Sequence, residues 1–133
     1  MHNLETITNI ARDINAFVDS PSEKVKRLIS QGRGTRFVVC GTSGSGKTRA
    51  IELANEMRPA DEQIAESRSL CSFDIDPEQA IEVVDDVDLA YRDAFHVAFA
   101  VYYQDVAKAL EERGVKVFWV DRGVVSRCGL ATR

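Results

Sequence analysis

The sequence predicts an α/β fold in which a parallel sheet is covered by helices on both faces and preceded by two N-terminal helices. Three observations carry that expectation. Short β-branched runs alternate with longer amphipathic ones. A glycine-rich segment joins the first such run directly to a helical one. The chain is 133 residues long, with 44% hydrophobic and 29% charged residues, which suits one ordinary globular domain rather than two. Within that single domain, 1–133, residues 1–33 read as a helical segment and residues 34–133 as the core.

The elements follow in order. Leu4, Ile7, Ile10, Ala11, Ile14, Phe17 and Val18 recur every three or four positions, which places one apolar stripe on a helix over about residues 3–18. Ser20-Pro21-Ser22-Glu23 combines an N-cap serine, a proline at the first helical position and a glutamate two residues later, so a second helix is expected over about 21–31, stopping at Gly32. Arg36-Phe37-Val38-Val39-Cys40 is too brief for a helix and reads as a buried strand. A helix over 48–57 ends before Pro59, and the polar stretch 59–68 shows little periodicity. Residues 69–75 and 81–85 read as second and third strands, 90–113 as a long helix closed by Gly114, and 115–120 as a fourth strand.

Charge and cysteine usage exclude several classes. Seventeen Lys and Arg against 21 Asp and Glu give a net charge of −4, without the positive field of an autonomous nucleic-acid-binding module. Cys40, Cys71 and Cys128 are odd in number and widely spaced, unlike a zinc pair or a disulfide framework, so a reducing cytoplasm is the expected setting. No apolar run approaches the ~18 residues that cross a bilayer, and residues 1–12 lack the features of a signal peptide, so no membrane partner is expected.

Gly41-Thr42-Ser43-Gly44-Ser45-Gly46-Lys47-Thr48 fits the phosphate-loop pattern GxxxxGK[ST] at every required position, between an expected strand and an expected helix. Glycines let backbone N–H groups converge on phosphate oxygens, and the helix N-terminus adds partial positive charge. Lys47 is placed to reach the β- and γ-phosphates and the Thr48 hydroxyl to bind Mg²⁺, with Arg49 next in the first helical turn. ATP and Mg²⁺ are the expected ligands. Such a loop needs a carboxylate at a neighbouring strand end, and Asp85, after Ile81-Glu82-Val83-Val84, is the candidate, with Asp86 beside it. Asp121 ends the fourth expected strand, where ligands of open α/β sheets sit; a phosphate sensor and a plain strand-ending turn are both open there.

Taken together, these segments resemble the nucleotide-binding core of the AAA+ ATPases, among the P-loop NTPases that insert a strand between the Walker A and Walker B strands. Val84-Asp85-Asp86-Val87-Asp88 and Val117-Phe118-Trp119-Val120-Asp121-Arg122 are similar to the Walker B and sensor 1 segments of its replication-initiator and helicase-loader branch. The resemblance spans about residues 35–125 and implies a three-layer P-loop NTPase fold. It makes Gly41, Gly46, Lys47 and Thr48 phosphate and metal contacts, Asp85 the Mg²⁺ partner, Asp86 the catalytic acid and Asp121 the sensor. It also implies a minimal form without the helical lid, working as a homo-oligomer or with a partner subunit that supplies an arginine finger. Arg122, Arg127 and Arg133 are candidates for that finger by position only.

Three function classes follow: an oligomeric ATPase in replication, packaging or remodelling; a nucleotide-gated module without turnover; and a small-molecule kinase using Asp74 and Asp76. Lys24, Lys26, Arg27, Arg33 and Arg36 form a modest basic cluster, read as a solvated face unless nucleic acid is the partner. The apolar positions of the long helix suit burial within the domain or packing on a second subunit, and His96 reads as a tolerated helical position.

Overall fold

Leu4–Asp19 forms α1, and its buried positions Ile7, Ala11, Ile14 and Val18 make the one apolar stripe expected of it. The computed structural model describes residues 4–19, 35–42, 44–71, 75–85 and 96–120; the expected second helix, 21–31, lies outside them. The further elements are β1 (Thr35–Cys40), α2 (Lys47–Glu56), a 3₁₀ turn (Ala60–Glu62), β2 (Ile64–Ser67), α3 (Pro77–Asp85), β3 (His96–Val101), α4 (Gln104–Glu112) and β4 (Val117–Trp119).

The four strands form one parallel sheet in the order β2-β3-β1-β4. Side chains alternate across it. Phe37, Val39, Ala98 and Phe118 face α1 and α2, where they meet Ile14, Ile51 and Ala54. Val38, Val97, Phe99, Val101 and Val117 face α3 and α4, against Val84, Val106 and Leu110. Helices therefore cover both faces, as the alternation of runs predicts. Phe17, Phe37 and Phe118 meet edge to face at 5.6–6.0 Å, locking α1 onto β1 and β4.

A polar clamp fixes the far end of α1. The nearly buried Arg58 guanidinium donates to Asp19 Oδ1 (2.9 Å) and Asn15 Oδ1 (3.1 Å), and its Nε donates to the Glu62 carbonyl (2.7 Å). Asn55 accepts from the Ile64 N–H (2.7 Å) and donates to the Ile64 carbonyl (2.9 Å), so the end of α2 sets where β2 begins.

Three expectations are corrected. Residues 81–85 are the second half of α3, not a strand. Asp76 Oδ1 accepts from the Gln79 N–H (2.9 Å) and Gln79 Oε1 accepts from the Asp76 N–H (3.0 Å), a reciprocal cap with Pro77 at the first helical position. Residues 90–113 are not one helix: they contain β3 and α4, separated by Tyr102 and Tyr103. Every position of β3 is buried, so it reads as a continuous apolar run that periodicity cannot tell from a core helix. The strand after α2 is Ile64–Ser67, within the stretch taken as aperiodic, whereas residues 69–71 turn, with the Cys71 N–H donating to the Arg68 carbonyl (3.1 Å).

Gly114 ends α4 as expected. Its φ of 92° lets its own N–H reach the Glu111 carbonyl (3.0 Å) and that of Val115 reach Leu110 (3.0 Å). His96 opens β3 rather than lying on a helix, and burial, then the Arg58 charge, push its pKa below the usual 6.5. No helix among the described residues is long and apolar enough to cross a membrane.

Removing the α3 cap is expected to have a modest effect. Asp76→Ala leaves the Gln79 N–H without its acceptor and should cost about 1 kcal/mol, read as a lowered thermal midpoint. An unchanged midpoint would mean that packing alone holds this end.

Candidate functional site

Because all four strands are parallel, their carboxyl ends share one edge, and there the glycine-rich segment lies. The Gly41 N–H donates to the Val101 carbonyl (3.0 Å), pinning the start of the loop to the end of β3. The Ser45 N–H donates to the Thr42 carbonyl (3.0 Å), and the chain enters α2 through Gly46 at φ 103°. That conformation is open to glycine and strained for other residues. A Cβ at Gly46 would also lie 2.8 Å from Ile7 Cδ1, so α1 rests directly against the loop.

Lys47 is 6% exposed. Its ammonium donates to the Gly41 (2.8 Å) and Thr42 (2.7 Å) carbonyls and sits 4.4 Å from the centre of the Tyr102 ring. Burial pulls its pKa below the usual 10.5, with Cys71, Cys40 and Glu66 acting the other way. Tyr102 leaves the end of β3, and the Cys71 thiol donates to the Ala100 carbonyl (3.4 Å). Burial raises the Cys71 pKa and so favours the neutral thiol.

The Thr48 hydroxyl donates to Glu66 Oε2 (3.0 Å) and accepts from Arg68 Nη2 (3.2 Å), while Arg68 Nε stands 3.4 Å from the same carboxylate oxygen. These groups, with Lys47, Gly44 and Gly46, line a cleft of about 350 Å³. Arg49 also borders it, paired with Glu56 at 3.1 Å.

Sequence reasoning missed Glu66. It sits in a four-residue strand, too short for periodicity to register, and only the tertiary fold brings it to Thr48, 18 positions away. Asp85, expected at a strand end, is the last residue of α3, so the strand-end argument that nominated it fails. Asp76 caps α3. Ser43, Asp74, Asp86, Asp121, Arg122, Arg127 and Arg133 lie outside the described residues.

The residues present fit a phosphate and a hard cation. The Ser45 hydroxyl is buried without a hydrogen-bond partner among the described residues, and it lies inside the loop against Gly41. Thr48 and Glu66 offer oxygen donors of the kind Mg²⁺ takes. No group of three metal-ligating side chains occurs among the described residues, so any Mg²⁺ here would draw on phosphate oxygens and water, as it commonly does.

Comparison with protein-family models, with curated proteins and with solved structures finds no match.

Proposed function

We propose that this chain is a Mg-ATP-binding P-loop NTPase that hydrolyses ATP within an oligomeric assembly serving a nucleic-acid transaction. One observation carries the nucleotide reading. At the carboxyl edge of a parallel sheet, a helix N-terminus, the Lys47 ammonium and a Thr48–Glu66 oxygen pair converge on one cleft. Assembly and a nucleic-acid target come from the AAA+ resemblance. The strand order does not add to it: residues 77–85, expected to hold the second carboxylate strand, are helical, and β4, the expected sensor strand, flanks β1 on the side away from β3 and β2.

In this reading Lys47 exchanges its two carbonyl acceptors for β- and γ-phosphate oxygens. The loop N–H groups and the Ser45 hydroxyl bind phosphate, and Glu66 takes the role first given to Asp85, orienting Thr48. When bound, Mg²⁺ supplies charge neutralisation at the phosphate chain.

A specific observation favours a second reading. Glu66 stands on the strand directly after the loop helix, where the simplest nucleotide kinases carry their acidic residues. A small-molecule kinase would then use Glu66 in place of Asp74 and Asp76.

ATP turnover with and without DNA, beside phosphoryl transfer to a panel of small hydroxyl acceptors, tests these readings. The ATPase reading expects DNA-sensitive phosphate release, lowered about 10- to 100-fold in Glu66→Gln through weakened metal positioning. Transfer to an acceptor would establish the kinase instead. Binding without turnover would establish a nucleotide-gated module.

A further inference from the structure

Among the charged groups of the cleft that the reading above does not use, Arg68 is the one in contact with its oxygen pair. Arg68 follows β2 directly, and its guanidinium lies on the two side chains that offer oxygens to a cation. Thr48 Oγ1 has one proton and two lone pairs. The proton goes to Glu66 at 3.0 Å, and Arg68 holds one lone pair at 3.2 Å. Arg68 Nε also shares Glu66 Oε2 at 3.4 Å. The guanidinium therefore sits where a positive charge neutralises Glu66 and polarises Thr48. A divalent cation bound to the same oxygens at about 2.1 Å would be pressed against a like charge.

The two ends of this contact differ in freedom. The Glu66 side chain is 17% exposed and held by Thr48, whereas that of Arg68 is 65% exposed. Arg68 is the group that can leave. It borders the same cleft as Lys47, close enough for its charge to act on the ammonium. A planar fork of N–H donors released there matches a phosphate bidentately.

We propose that Arg68 is a built-in stand-in for the divalent cation: it holds Thr48 and Glu66 in place before the metal arrives, then moves to the terminal phosphate of the bound nucleotide. This rests on the nucleotide reading above and deepens it, because the chain then carries its own phosphate-neutralising arginine without one from a partner subunit.

The test is calorimetric titration of the full chain with Mg²⁺ and ADP, and with Mg²⁺ and the non-hydrolysable imido analogue of ATP. Wild type, Arg68→Ala and Arg68→Lys are compared, with thermal melts to confirm folding. Arg68→Ala removes the competitor, so half-saturation by Mg²⁺ at fixed ADP should fall severalfold. It also removes the terminal-phosphate contact, so preference for the triphosphate analogue over ADP should drop by about tenfold. Arg68→Lys keeps the charge without the fork and should lie between. A wild-type Mg²⁺ requirement and nucleotide preference in Arg68→Ala would overturn the proposal alone. A wild-type chain that binds neither nucleotide would overturn the nucleotide reading and this proposal with it.

Discussion

Gly46→Ala is expected to lower stability by about 2–4 kcal/mol, from the strain of an alanine at positive φ and the overpacking its methyl forces. The backbone there has φ 103°, and the new Cβ would stand 2.8 Å from Ile7 Cδ1 and 3.2 Å from Ile7 Cγ1. Ile7 is a buried residue of α1, a helix that Arg58 and the Phe17–Phe37–Phe118 cluster hold in place, so it has little room to retreat. In a domain of this size the loss corresponds to a drop in thermal midpoint on the order of 10 °C. A double-mutant cycle separates the two causes. Ile7→Ala in the Gly46→Ala background should recover the packing part and leave the strain, giving a coupling of about 1 kcal/mol or more. No coupling would mean that α1 does not press on the loop.

Lys47→Met is expected to leave the fold standing and weaken nucleotide binding. The ammonium is buried, and burial already disfavours its charged form, so a methionine of similar length fills its space without a charge to desolvate. The Gly41 and Thr42 carbonyls lose their donor, which offsets part of that gain, and the thermal midpoint should move little. Mg-ATP affinity should fall about 10- to 150-fold, the effect of losing one or two hydrogen bonds to a charged phosphate. Lys47→Arg should not restore it, because a planar guanidinium does not fit between two carbonyls and the Tyr102 ring. A large loss of stability with binding retained would make Lys47 a structural residue.

Where one face of an element is buried and the other is solvated, the sequence shows the element plainly. The stripe of α1 is legible for that reason, whereas the Phe37–Cys40 run, buried on both faces, is legible from its brevity and its β-branched and aromatic residues, and the Gly114 stop from the positive φ that glycine allows. The loop was legible because its chemistry is local, eight consecutive residues with a fixed pattern. The exchange of strand and helix at α3 and β3 has two physical roots. Asp76-Pro77-Glu78-Gln79 is a helix start signature, and its reciprocal hydrogen bonds outweigh the β-branched Val83-Val84 that suggested a strand. β3 is buried on both faces, which erases the period-two signal, so its His-Val-Ala-Phe-Ala-Val run merged with the amphipathic α4 that follows. Half of the candidate site followed the same division. Lys47 and Thr48 could be read from the motif, whereas Glu66 and Arg68 reach Thr48 only through the pairing of β2 with β3. No local pattern records that pairing.

The most direct measurement is calorimetric titration of the wild-type chain with ATP in the presence and absence of Mg²⁺. Saturable binding at a single site, strengthened by Mg²⁺, is expected, because the loop, Lys47 and the Thr48–Glu66 pair face one cleft. An absence of binding heat at millimolar Mg-ATP, on the order of the weakest affinity expected of a working nucleotide site, would contradict the nucleotide reading and leave the glycine-rich loop as a structural turn between β1 and α2.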